Sequence, residues 1–217
     1  MSFFELPAPP PEPPEERAQP VWLGPPDNVF GASFPLHLVL ARTEAVALQV
    51  HTGMAYPTGI EFSLQLLQRE RSRGHERDPI HTWHMIRRDG AALAPEVLRF
   101  GIAFADGRKA TVFDERHFGR EDGLPPAVLM QRGGSGGDRR YDVRFWLWPL
   151  PPAGPLAFVV EWPAQGIELA RHEVDTAPLS EAAGHAKELW PEGRPSTGTG
   201  NWRSHVMTAR STANPSE

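Results

Sequence analysis

The chain has no cysteine among its 217 residues. A disulfide framework, a thiolate zinc site and thiol catalysis are excluded together. Long apolar runs are missing as well, and no stretch approaches the roughly 18 consecutive apolar residues of a membrane-spanning helix. Lysine is scarce, at two residues against 20 arginines. With abundant Ala, Pro and Gly, that imbalance points to codon bias in a GC-rich genome rather than selection for phosphate-binding forks. A net charge of −5 argues against a general nucleic-acid binder, because neutralising phosphates needs clustered Lys and Arg. No GxSxG elbow is present, and Ser63, Ser72 and Ser135 have no partner visible in the sequence. The opening MSFFELPAPPPEPPEE lacks the basic and apolar regions of a secretory leader, so the expected location is the cytoplasm.

What is present is alternation. Leu36, Leu38 and Leu40 are followed by Val46, Leu48 and Val50, then by Ile60, Phe62, Leu64 and Leu66. Further on come Leu98, Phe100, Ile102 and Phe104, then Tyr141, Val143, Phe145 and Leu147, then Leu156, Phe158, Val160 and Trp162. A period of two places one face of each strand in a core and the other in water. Many such strands at short spacing predict an all-β, immunoglobulin-like antiparallel sandwich of about eight strands. Hydrophobic content of 40% and charged content of 23% fit a globular domain of ordinary composition.

Three regions are expected. Residues 1–33 form a proline-rich arm, 34–190 a sandwich domain with one C-terminal helix, and 191–217 a disordered tail poor in apolar surface. The arm favours an extended polyproline conformation and has PxxP spacing at Pro7 and Pro10, Pro10 and Pro13, and Pro11 and Pro14. Phe3, Phe4 and Leu6 precede its prolines, and Val21, Trp22 and Leu23 follow them. Asp106-Gly107 carries the signal of a type I′ hairpin between LRFGIAF and KATVF. Residues 69–94 are a polar excursion, and Gly133-Gly134-Ser135-Gly136-Gly137 a mobile hairpin tip. In TAPLSEAAGHAKELW, Leu179, Ala183, Ala186 and Trp190 stand at helical spacing behind an N-cap at Thr176, with Pro178 in the first turn.

Four clusters of residues invite a chemical reading. His75, Asp78, His81 and His84 have metal-binding side chains, but Pro79 interrupts any helix that would align them, and no familiar ligand spacing appears. No stoichiometric metal and no cofactor are expected. Arg69, Arg71, Arg73 and Arg77, with Arg132, Arg139 and Arg140, make a cationic surface if the two loops meet, diluted by Glu70, Glu76, Asp78 and Asp138. The glycine run lacks the GK[ST] ending of a phosphate loop. Glu61 and Glu161 fall on outward strand positions. In YDVRFWLW, Trp146 and Trp148 fall opposite Phe145 and Leu147, on the face that carries Asp142 and Arg144. Two indoles there need a cover, and for at least one of them the C-terminal helix is expected to supply it.

At YPTGIEFSL, LRFGIAFADGRKAT, FWLWPLPPAGPLAFVVEWPAQGI and AKELW the chain resembles uncharacterised proteins of high-GC Gram-positive bacteria, over most of residues 1–190. The resemblance agrees with the codon-bias reading and supplies neither an activity nor catalytic residues. The expectation is a non-enzymatic interaction or structural module whose partner is another protein. Its surface would draw on Trp146, Trp148, Arg144, Phe3, Phe4 and Trp22. The alternatives are a small-ligand or carbohydrate-binding sandwich using Trp146 and Trp148, and a metal-dependent enzyme built on the histidine loop.

Overall fold

The computed structural model describes residues 20–70, 94–114, 126–137 and 139–190. Among them are β1 (Val29–Phe30), β2 (Ala32–Arg42), β3 (Val46–Tyr56), β4 (Gly59–Gln68), β5 (Arg99–Ala103) and β6 (Lys109–Thr111). Then follow β7 (Val128–Gly137), β8 (Arg140–Trp148), β9 (Pro155–Trp162), β10 (Ile167–Asp175), one helix, α1 (Ala177–Gly184), and β11 (Lys187–Glu188). A 3-10 turn at Pro163–Gln165 joins β9 to β10. One sheet has the order β2-β3-β4-β8-β7 and a second β10-β9-β5-β6, while β1 and β11 form a separate ribbon. Each of these pairings is antiparallel. The described residues are mostly β, as the alternation predicts, with one α-helix among them.

The alternating residues are the reason the sheets stack. The inward rows of β3, β4, β5, β8 and β9 are buried and belong to one hydrophobic cluster drawn from both sheets. At its centre Phe62 of β4 meets Phe158 of β9 edge-on at 5.4 Å and Phe145 of β8 stacked at 5.8 Å. Phe100 of β5 lies 6.2 Å from Phe62 and 6.4 Å from Phe158. Aromatic pairs at such separations add to the burial term. The polar side chains between them stay outside, as with Arg99, which reaches across β5 and β9 to Glu161 at 2.5 Å.

Four local expectations are corrected. The Asp106-Gly107 hairpin exists, but Gly107 alone has a positive φ (87°), whereas a type I′ turn needs two such residues. Gly107 N–H donates to Phe104 O and Phe104 N–H to Arg108 O, the pattern of a type I turn closed by a left-handed glycine. The glycine run is the second half of β7, paired with Arg140–Arg144. Gly136 makes this possible, because a side chain there would collide with the Tyr141 ring. The helix stops at Gly184, and Lys187–Glu188 pairs with β1. Thr176 does not cap it by side chain; its hydroxyl faces the carbonyls of Pro152 and Gly154, and Asp175 accepts from Ala177 N–H at 3.0 Å instead. Ahead of β1, Leu23 is buried, and its carbonyl accepts from Arg132 at 2.8 Å.

Candidate functional site

The outward side of the five-stranded sheet carries the chemistry. Register places Val39, Gln49, Gln65, Asp142 and Ser135 in one row across β2, β3, β4, β8 and β7. The next row is His37, His51, Ser63, Arg144 and Gly133, and beyond it Glu61, Trp146 and Met130 lie abreast. Outward positions of antiparallel strands face one another across the ladder, so residues far apart in the chain become neighbours.

The middle of this face is a continuous hydrogen-bonded line. Gln49 Nε2 donates to Gln65 Oε1 at 2.8 Å, and Gln65 Nε2 donates to Asp142 Oδ1 at 2.8 Å. His51 Nε2 lies 3.0 Å from the same Asp142 oxygen, and His51 Nδ1 2.7 Å from Thr52 Oγ1. A carboxylate only accepts, so its two neighbours fix the direction of the whole line. Gln65 is buried, while the His51 and Asp142 side chains are 26% and 29% exposed.

Thr52 owes its position to a double break in register. Thr52 and Gly53 stand together opposite Phe62 on the β4 side, and Pro35 and Leu36 stand opposite Thr52 on the β2 side. Such a bulge re-aims side chains. The Phe34 ring packs so closely over Gly53 that no side chain fits there. Thr52 adopts φ 58°, a left-handed conformation that is an outlier for a β-branched residue.

At the far end of the face, Trp146 is fully buried, so it offers no indole surface to a partner. Its cover is not the helix: α1 packs on β2 and β3, and Leu179, Ala182 and Ala183 join the inner core. Tyr56 meets Trp146 edge-on at 5.6 Å, the Gly59 backbone lies against the indole, and Gly31 lies against the Tyr56 ring. Trp146 Nε1 finds no hydrogen-bond partner among the described residues, whereas Trp162 Nε1 donates to Glu96 O at 2.9 Å. Burial, reinforced by the charge of Glu61, pushes the Tyr56 phenol above its ordinary value. Glu61 itself lies 3.7 Å from Arg144, whose side chain is 64% exposed.

Of the six residues expected on an interaction surface, Arg144 is exposed, Trp148 and Trp22 are half-buried, and Trp146 is inaccessible. Phe3 and Phe4 lie outside the described residues, as do His75, Asp78, His81 and His84. Among the described residues no group of three metal-binding side chains converges, and no helix is long and apolar enough to cross a membrane. Arg139 does reach Arg69, donating to its carbonyl at 3.3 Å, but Arg69 pairs with Glu44 at 3.0 Å. Arg132 is held away from that corner by Leu23.

Two features had no signal in the sequence. Phe30 and Trp190 are 67% and 63% exposed on and beside the β1–β11 ribbon, where Asn28 donates to Trp190 O at 3.1 Å. The Thr52–His51–Asp142 line joins residues 91 positions apart. Comparison with protein-family models, curated proteins and solved structures found no match.

Proposed function

We propose that this chain is a cytoplasmic protein-interaction module on an immunoglobulin-like sandwich, which binds another protein through the aromatic ribbon and the adjoining proline-rich arm. Support for the fold comes from strand order. β3-β4-β8-β7 and β10-β9-β5 follow the A-B-E-D and G-F-C orders of that fold, with β2 added at one edge and β6 at another. Phe62 and Phe158 then occupy the two strands that antibody domains join by a disulfide, and Phe100 occupies the strand of their packed Trp.

One observation carries the interaction reading: Phe30 and Trp190 are large aromatic residues that stand mostly exposed to water. Large exposed aromatics mark binding surfaces, and Trp is enriched among residues that dominate binding energy. The test is capture from native lysate by the full-length protein, with the captured protein identified. Phe30→Ser with Trp190→Ser is expected to abolish capture and leave the melting temperature unchanged. Undiminished capture by the double variant rejects the ribbon as the surface.

A second reading rests on Arg144, which stands in the second polar row of the outer face, and on Trp148, which lies beyond Trp146 on the same strand; they suit a carbohydrate or other small polar ligand. Glycan-array binding that disappears in Trp148→Ala and persists in the ribbon variant favours it over the first.

A further inference from the structure

The geometry points to Thr52 as a nucleophile that takes acyl groups from small activated esters. Because Asp142 only accepts, a neutral His51 carries its proton on Nε2 and aims it at Asp142 Oδ1, 3.0 Å away. The lone pair then sits on Nδ1, 2.7 Å from Thr52 Oγ1, in position to take the hydroxyl proton. A hydroxyl in contact with a base, which is itself oriented by a third group, is the arrangement that activates an oxygen nucleophile.

Three features beyond those distances support the assignment. The carboxylate is held from behind, because Asp142 Oδ1 also accepts from Gln65, and Gln65 is fixed by Gln49. Thr52 is held at φ 58°, and strain of this kind gathers at functional sites. Access is open, because Thr52 is exposed and the His51 and Asp142 side chains are partly so. An ester carbonyl can reach Oγ1 without opening the fold.

The reaction balances with water alone. Thr52 Oγ1 attacks the carbonyl carbon while its proton passes to His51 Nδ1. The tetrahedral intermediate collapses, the bond to the leaving alcohol breaks, and that alcohol takes the proton from Nδ1. Thr52 is left acylated and His51 neutral. Water activated by the same nitrogen can then release the acid, and nothing is oxidised or reduced. This activity goes beyond partner binding, which makes no covalent bond, and it involves none of the ribbon residues.

The experiment exposes the full-length protein to p-nitrophenyl acetate and follows nitrophenolate release, intact mass and peptide mapping. Wild type is expected to acquire one acetyl group on Thr52 or, where the ester turns over, to release nitrophenolate steadily. Thr52→Ser keeps the reactivity, Thr52→Val loses it, and His51→Gln lowers the rate by about a hundredfold. Melting curves confirm that each variant is folded, and His51→Gln decides the matter if Thr52→Val is not. Acetylation only at lysines, release unchanged in Thr52→Val, or neither adduct nor release in wild type overturns the assignment.

Discussion

At the scale of the residue, Phe100 is the most informative side chain to remove. It touches Phe62 and Phe145 of the opposite sheet and Phe158 of its own. Phe100→Ala is expected to cost about 3–5 kcal/mol, read as a lower denaturation midpoint at unchanged slope. A shift below about 1 kcal/mol would mean that the pocket collapses around the deletion. Tyr56 supplies a pH test. Its phenol is pushed up by burial and then by Glu61, so the fold favours the protonated form. Stability from this group is complete below about pH 10, where an unfolded tyrosine ionises, and is lost as pH rises through the higher folded value. Tyr56→Phe should flatten that alkaline loss, and an identical profile for the two proteins would contradict the assignment. Phe100 was legible from alternation alone, because a core position needs only the correct side of a strand. Trp146 was not: alternation put it outward, and what lies over an outward residue depends on Tyr56, ninety positions earlier in the chain.

At the scale of the element, the bulge in β3 sets the most instructive test. A left-handed conformation costs a residue with a Cβ about 1–2 kcal/mol, and glycine escapes that cost. Thr52→Gly is therefore expected to stabilise the fold by about 1 kcal/mol, measured by chemical denaturation, while it removes the proposed nucleophile. A destabilised variant would show that the Thr52–His51 hydrogen bond outweighs the backbone strain. Nothing in HTGMAY announced this bulge. It exists because two ladders lose register at one place, under the Phe34 ring, and that is decided by packing across strands. The glycine run misled for a related reason. Five small residues suggest a loop, yet β8 offers a ready partner, and Gly136 clears the space that Tyr141 fills. The C-terminal helix was legible over Ala177–Gly184, where Leu179 and Ala183 face the core, and illegible beyond, where pairing with β1 prevails over helical spacing.

At the scale of the whole molecule, the two sheets communicate through few neighbouring connections. β4 and β8 lie side by side although about seventy residues separate them, and β5 lies beside β9 although about fifty do. A chain of this kind closes long loops before its core forms, so refolding in milliseconds to seconds is expected in stopped-flow fluorescence. Microsecond refolding would show that local hairpins, not these distant pairs, make the nucleus. The β1–β11 ribbon has a mechanical meaning. Its strands are antiparallel, with Val29 opposite Glu188 and Phe30 opposite Lys187. Tension applied at residues 27 and 190 therefore pulls on adjacent ends and opens the ribbon like a zip, one hydrogen bond at a time. The sandwich behind it bears load only after the ribbon has parted, so the molecule has a built-in extensible leash that yields before the body it restrains.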